Sequence, residues 1–91
     1  MNIARWTIRA RGDVALIDDR YRQIDPDLAD RFGREALNAA RFLATTPAAG
    51  PSVELGLRKW PVRHSEYLLF YRIVSGGVEI VRVRHARENW R

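Results

Sequence analysis

The residues most suited to chemistry lie together at the end of the last predicted strand, where Arg82, Arg84 and His85 follow a run of branched apolar residues. A histidine that titrates near neutral pH can act as general acid or base, and arginines can stabilise a phosphorane-like transition state. This set would suit ribonuclease-type cleavage, with Arg58 holding a further phosphate oxygen. The alternative is a histidine that only hydrogen-bonds the backbone, and the lack of a second recognisable proton-transfer group favours it.

The net charge of the chain is concentrated in the same segment. Residues 58–91 carry eight basic and three acidic side chains, which accounts for the whole formal charge of +5, whereas residues 1–57 carry eight of each. This asymmetry indicates an anionic partner, either nucleic acid or an acidic protein. The candidate contact residues are Arg58, Lys59, Arg72, Arg82, Arg84, Arg87, Trp90 and Arg91. The alternative is a solvated sheet face, with Glu66 and Glu79 as incidental ion-pair partners.

Length and composition place the chain among small folded domains. Its 91 residues predict a single domain over 1–91, and its 46% hydrophobic content predicts a packed core. There are no cysteines, and two histidines alone cannot build a structural zinc site, so we expect no metal site. The glycines match turns and not a phosphate-binding loop, and we expect no cofactor. No signal peptide or membrane-spanning run is recognisable, which predicts a cytoplasmic protein without membrane contact.

The elements that must position these residues follow from periodicity and turn signals. The predicted elements are a strand over 2–10, helices over 13–24 and 26–45, and strands over 57–60, 67–74 and 78–84. Asp13 is the expected cap of the first helix, and Asp25 followed by Pro26 predicts a very short connection to the second. Gly76 and Gly77 supply the turn of the last hairpin. The fold class is therefore α+β in the order β-α-α-β-β-β, with a helical hairpin packed on a small, mainly antiparallel sheet.

Strand alternation predicts the faces of the last strand. It places Ile80, Arg82 and Arg84 on one face and Val81, Val83 and His85 on the other. At the first strand it places Trp6 and Ile8 inward. Both strands of the last hairpin are apolar on both faces near their middles, which is typical of central strands that are covered on both sides.

Three segments together resemble the RelE/ParE superfamily of type II toxin–antitoxin toxins. They are GLRKWPV at 56–62, YLLFYRI at 67–73 and VEIVRVRHAR at 78–87, and the predicted order of elements is similar to that family's fold. The resemblance covers essentially the whole chain and is most specific in the final 35 residues. It implies a small growth inhibitor that a co-expressed antitoxin neutralises by wrapping an extended segment and helices around it.

The superfamily implies one of two activities. Its RelE-like branch cleaves mRNA on the ribosome with basic sheet residues and often a C-terminal tyrosine or histidine, whereas its ParE-like branch inhibits DNA gyrase. This sequence has Leu68 and Leu69 where the ribonucleases tend to carry a catalytic arginine, and no tyrosine follows Tyr71. The resemblance is therefore closer to the ParE-like branch, which implies a gyrase-binding toxin and no enzymatic activity.

Two other functions stay open at this point. One is a ribosome-dependent endoribonuclease acting on mRNA, with His85 as acid or base and Arg58, Arg82 and Arg84 as phosphate ligands. The other is a basic binding module without toxicity. Growth arrest on induction without an antitoxin would separate the toxins from the module, and a supercoiling assay would separate the two toxins.

Overall fold

The computed structural model describes residues 2–88 and contains the predicted order of elements. The bounds are β1 Ile3–Trp6, α1 Ile8–Ile24, α2 Pro26–Thr45, β2 Arg58–Pro61, β3 Tyr67–Val74 and β4 Gly77–His85. Short 3-10 turns at Pro47–Ala49 and Glu54–Gly56 lie in the connection between α2 and β2. The α+β class and the β-α-α-β-β-β order are thus confirmed.

The sheet is mixed and has the strand order β1-β4-β3-β2. The two hairpin pairs, β2 with β3 and β3 with β4, are antiparallel, and β1 pairs with β4 in parallel. The helical hairpin between β1 and β2 is the crossover that a parallel pair requires. No helix within residues 2–88 has the length and apolar content that a membrane crossing would need.

Asp25 joins the two helices with a single residue. Its backbone N–H donates to the Tyr21 carbonyl at 2.8 Å and so ends α1. Its side chain accepts from the Asp27 N–H at 3.0 Å and so caps α2, with Pro26 at the first helical position. One residue therefore satisfies groups at the end of one helix and the start of the next. The helices must fold back on each other because no loop separates them.

The first helix begins earlier than the sequence predicted. The prediction of a strand over 2–10 is wrong, because β1 ends at Trp6 and α1 starts at Ile8 instead of residue 13. The reason is Thr7, whose hydroxyl accepts from the Ala10 N–H at 3.0 Å and donates to the Val81 carbonyl at 2.9 Å. This cap ties the helix start to β4, 74 residues away. Ile8 was expected to face inward, but it is 87% exposed on the first turn.

The core lies between the helices and one face of the sheet. Ala36, Ala39 and Ala40 give α2 a stripe of small buried side chains, so the helix can approach the strands closely. Larger side chains from both layers fill the space around this stripe. They are Ile17, Phe32, Leu43, Val62, Leu69, Tyr71, Val78, Ile80 and Val83.

A bulge in β4 changes which face its later residues occupy. Tyr71 lies opposite Ile80 and Phe70 opposite Arg82, so Val81 is an extra residue without its own partner on β3. Ile80 and Val83 therefore both join the core, although they are three residues apart. The predicted shared face of Ile80 and Arg82 is wrong for this reason, whereas Arg82 and Arg84 remain on one side of the strand.

Candidate functional site

His85 is the last residue of β4, and its ring is held on three sides. Its Nδ1 accepts a hydrogen bond from the Arg87 N–H at 3.1 Å, so the neutral ring carries its proton on Nε2. That Nε2 lies 3.7 Å from a carboxylate oxygen of Glu66. The ring also meets the ring of Tyr67 edge-on, with centroids 5.3 Å apart. A carboxylate does stand beside this histidine, which alternation alone did not indicate.

Arg84 is bound by a carboxylate from the turn that follows the strand. Its Nε and Nη2 lie 2.9 and 2.6 Å from Oε2 of Glu88. The His85 N–H donates to the other oxygen, Oε1, at 3.1 Å. The hydrogen bond from the His85 N–H and the Arg84 guanidinium together lower the pKa of Glu88. Both oxygens of this carboxylate are therefore bound by the end of β4.

Arg82 is bound by Asp13 on α1. The guanidinium Nε and Nη2 donate to Oδ2 and Oδ1 at 2.8 and 3.0 Å, and the Val83 N–H donates to Oδ2 at 2.9 Å. β1 pairs with β4 only as far as Ile80, so Asp13 covers the strand edge that β1 leaves open. Burial alone would raise the pKa of Asp13, but the hydrogen bonds from Arg82 and Val83 outweigh it and lower that pKa.

We expect Asp13→Ala to destabilise the protein by about 2 kcal/mol at neutral pH, because it leaves a half-buried guanidinium and the Val83 N–H without their acceptor. The folded-state pKa of Asp13 is lowered, so its contribution is complete above the unfolded value and is lost as pH falls through the folded value. The stability difference between wild type and variant should therefore shrink below about pH 4. Urea unfolding followed by circular dichroism at a series of pH values measures both effects.

Asp18→Ala is the matched control for this prediction. Asp18 lies on the same helix and also binds an arginine, Arg22, through two oxygens. This ion pair is more exposed: the side chains of Arg22 and Asp18 are 45% and 35% exposed, whereas those of Arg82 and Asp13 are 26% and 13% exposed. Exposed pairs contribute less, so the control should lose less stability. An equal loss in the two variants would contradict the role given to Asp13.

The other predicted contact residues do not form one cluster. Arg58 donates to the Gly50 carbonyl at 2.7 Å and holds the loop before β2. Lys59 is exposed on the opposite side of that strand, in one cross-strand row with Phe70 and Arg82. Arg72 lies opposite Glu79 at the far end of the hairpin and pairs with it.

The charge around His85 is close to balanced. Arg87 is 85% exposed and lies 3.9 Å from Glu66, while Arg84 is bound by Glu88. Two cations and two carboxylates thus surround the histidine, and an approaching phosphate would meet little net attraction. Trp90 and Arg91, the remaining candidates, lie outside the described residues. Within residues 2–88, no group of three or more His, Asp or Glu side chains is placed to hold a metal ion.

Sequence reasoning found the cations but missed the acids that bind them. The sequence predicted Asp13 only as a helix cap and indicated no carboxylate partner for Arg82, Arg84 or His85 in particular. The spacing of four residues between Arg84 and Glu88 was a usable signal, because a turn after the strand can bring such residues together. The contact between Asp13 and Arg82 spans 69 residues, and local pattern gives no signal for it.

Comparison with known proteins places this architecture among characterised families. The sequence model of the family described as "ParE toxin of type II toxin-antitoxin system, parDE" matches residues 4–90. Toxin RelE2 of Caulobacter vibrioides is 37% identical over 81 residues, covering 89% of this chain and 91% of its own length. A Sinorhizobium fredii protein is 36% identical over 87 residues, covering 94% and 90%. A solved structure described as a chromosomal ParDE system from P. aeruginosa shares the fold, with a TM-score of 0.80, 22% identity and coverage of 93% and 96%.

Proposed function

This chain belongs to the ParE toxin family of type II toxin–antitoxin systems, and from that membership we propose that it arrests growth by binding DNA gyrase, without catalysis of its own. A cognate antitoxin neutralises it by covering its basic and apolar surfaces. Toxins of this family are one part of a two-component system by description, which supports the antitoxin as partner. The toxin and its antitoxin meet in the cytoplasm, where gyrase acts.

The proposal that the toxin is not an enzyme is supported by one observation: the arginines near His85 are bound by carboxylates. Arg82 is bound by Asp13, and Arg84 is bound by Glu88. A ribonuclease needs cations that are free to stabilise a phosphoryl group, because charge stabilisation is a large part of its rate enhancement. Of the three arginines predicted as phosphate ligands, Arg82 is held by the largely buried Asp13 and Arg58 donates to the Gly50 carbonyl. Only Arg84, whose partner Glu88 is more exposed, could be released to bind a phosphate. This arrangement favours a contact surface over an active site.

The exposed cations are the residues we assign to the contact with gyrase. Lys59, Arg72 and Arg87 are exposed on β2, on β3 and in the turn after β4. Trp90 and Arg91 lie three and four residues beyond Arg87 in the sequence and remain predictions for the same contact. Exposed charges of this kind mainly raise the association rate and fix the orientation of the partner. The ribosome and mRNA are the alternative target.

The ribonuclease alternative has one supporting observation, the carboxylate of Glu66 beside Nε2 of His85. A histidine and a carboxylate could exchange a proton with a substrate, as RNA cleavage requires. We expect His85→Ala to keep its ability to arrest growth when induced without antitoxin, because the ring has no chemical role in gyrase binding. Primer extension on translated mRNA should show no cuts in the ribosomal A site for wild type or variant.

Asp18→Ala is a suitable control for expression level, because Asp18 lies on α1 and pairs with Arg22, which is not assigned to the contact with gyrase. Loss of growth arrest in His85→Ala, together with loss of A-site cuts that wild type produces, would establish the ribonuclease instead. Equal soluble amounts of the proteins must be verified on immunoblots before growth is compared.

A further inference from the structure

A cleft of about 220 Å³ lies between α1 and the end of β4. Leu16 and Arg20 line it from the helix, and Tyr67, Arg84 and Glu88 line it from the sheet and the following turn. Leu16 is 58% exposed, although it is a large apolar side chain. Within residues 2–88, Arg20 makes no ion pair or side-chain hydrogen bond. The rim of the cleft thus offers one apolar contact and one unneutralised cation.

One side of the cleft contains a grip for one carboxylate group, formed by the Arg84 guanidinium and the His85 N–H. The Arg84 guanidinium binds one oxygen of Glu88 through two nitrogens, at 2.9 and 2.6 Å. The backbone N–H of His85 binds the other oxygen at 3.1 Å. Arginine with an added N–H donor is a geometry that suits a planar carboxylate. The donors belong to β4 and are held in place by the sheet, whereas the acceptor comes from the turn outside it.

Glu88 is an exchangeable occupant of this grip. Its side chain is 41% exposed, compared with 24% for Arg84. Ion pairs at such exposed positions contribute little to stability, because water and salt compete for both charges. An external carboxylate could replace Glu88 without disturbing the core. Asp13, the other carboxylate of the cleft, is not exchangeable in this way, because its side chain is only 13% exposed and is bound by Arg82 and the Val83 N–H.

We propose that the cleft between α1 and β4 is a docking site for an acidic segment of a protein partner, in which Glu88 is an internal placeholder for a carboxylate of that partner. The partner's carboxylate takes the place of Glu88 on Arg84 and His85. A second carboxylate pairs with Arg20, and an apolar side chain covers Leu16. The identification of this partner as the antitoxin rests on the proposed function. The carboxylate grip rests only on the contacts of Arg84 and the His85 N–H.

Charge and shape favour an acidic protein segment over nucleic acid. The cleft is small, and one side of it already holds a carboxylate, that of Glu88, with both oxygens bound. Asp13 lines the same cleft and would repel a chain of phosphates, whereas an isolated carboxylate needs only the one grip. The exposed Leu16 suits a peptide side chain and has no equivalent role toward a phosphate backbone.

The first experiment examines the grip with acetate as the probe. Glu88→Ala should leave Arg84 and the His85 N–H free to take up acetate, seen as a saturable shift of the His85 amide signal in ¹H–¹⁵N NMR spectra at constant ionic strength. Wild type should show no saturable shift, and the double variant Glu88→Ala with Arg84→Gln should lose it. Glu66→Ala is the control, because it removes a carboxylate near His85 that does not bind Arg84. No saturable shift in folded Glu88→Ala would overturn the proposal.

The second experiment identifies the class of partner by fluorescence anisotropy. The probe is a labelled peptide of alternating glutamate and leucine, compared with its glutamine analogue and with a labelled oligo-dT strand. The Glu88→Ala variant should bind the acidic peptide about fivefold more tightly than wild type, because Glu88 no longer competes for Arg84 and the His85 N–H. Unchanged or weaker peptide binding by Glu88→Ala overturns the docking site, and so does preferential binding of oligo-dT. Neither experiment uses gyrase or growth, so a failure here is distinct from a failure of the proposed function.

Discussion

Gly77→Ala should destabilise the protein by about 4 kcal/mol, the largest effect of any single substitution we expect. Gly77 starts β4 and lies opposite Ile3 of β1. A β-carbon added there would lie 1.9 Å from the Ile3 carbonyl oxygen and 2.7 Å from its nitrogen, and both are backbone atoms that cannot rotate away. The φ of +151° at Gly77 is also strained for any residue with a side chain. The substitution must therefore displace β1 or the hairpin turn.

Equilibrium urea unfolding measures this loss, with Gly33→Ala as the matched control. Gly33 lies within α2, and a β-carbon there meets no other atom within 4 Å. The same substitution should stabilise the control by about 0.5–1 kcal/mol, because alanine favours helix over glycine. A loss of 4 kcal/mol is a large part of the stability of a small domain. An unfolding midpoint of Gly77→Ala equal to that of wild type would contradict the parallel pairing of β1 and β4.

Tyr71→Phe should cost about 3 kcal/mol, the second largest effect. Tyr71 is fully buried, and its hydroxyl donates to the Pro47 carbonyl at 2.7 Å and accepts from the Gly50 N–H at 3.0 Å. Removing one oxygen leaves the buried Gly50 N–H and the part-buried Pro47 carbonyl without their partner. The loop cannot move inward to compensate, because Gly50 already lies against the Lys59 carbonyl.

Tyr21→Phe is the control for Tyr71→Phe, because it removes the hydroxyl of a tyrosine that is not buried. Tyr21 is partly exposed and packs its ring on Phe32, with centroids 5.6 Å apart. Its ring contacts survive the substitution, so we expect a change below about 0.5 kcal/mol. Denaturant midpoints of the two variants give the comparison. Similar midpoints for Tyr71→Phe and wild type would show that the hydroxyl does not hold the loop.

Local pattern predicted the parts of the fold that depend on local interactions. Asp25 and Pro26 marked the junction of the helices, because capping uses atoms within a few residues. The start of α1 was missed because Thr7 uses both a local and a distant partner. Helical spacing from Ala10 through Val14 and Ile17 was present in the sequence, but alternation over residues 3–9 obscured it. The family resemblance was confirmed by the match over residues 4–90.

The candidate site was less predictable than the fold. The bulge at Val81 places Ile80 and Arg82 on opposite faces of β4. The sequence does not indicate this bulge, because a β-branched residue such as Val81 fits a regular strand as well as a bulge. The binding of Arg82 by Asp13 depends on the approach of α1 to the open edge of β4, which only the tertiary structure defines. The net charge of residues 58–91 did not indicate that Arg72, Arg82 and Arg84 are each bound by a carboxylate of the same chain.

We propose that this toxin acts by binding gyrase and not by cutting RNA. The most direct measurement adds the purified toxin, in increasing excess, to purified DNA gyrase, relaxed plasmid and ATP, and follows supercoiling on agarose gels. We expect supercoiling to fall as toxin is added, His85→Ala to inhibit to the same extent as wild type, and pre-incubation with antitoxin to restore activity. Unchanged supercoiling at the highest toxin excess, with a toxin preparation that still arrests growth, would contradict this proposal.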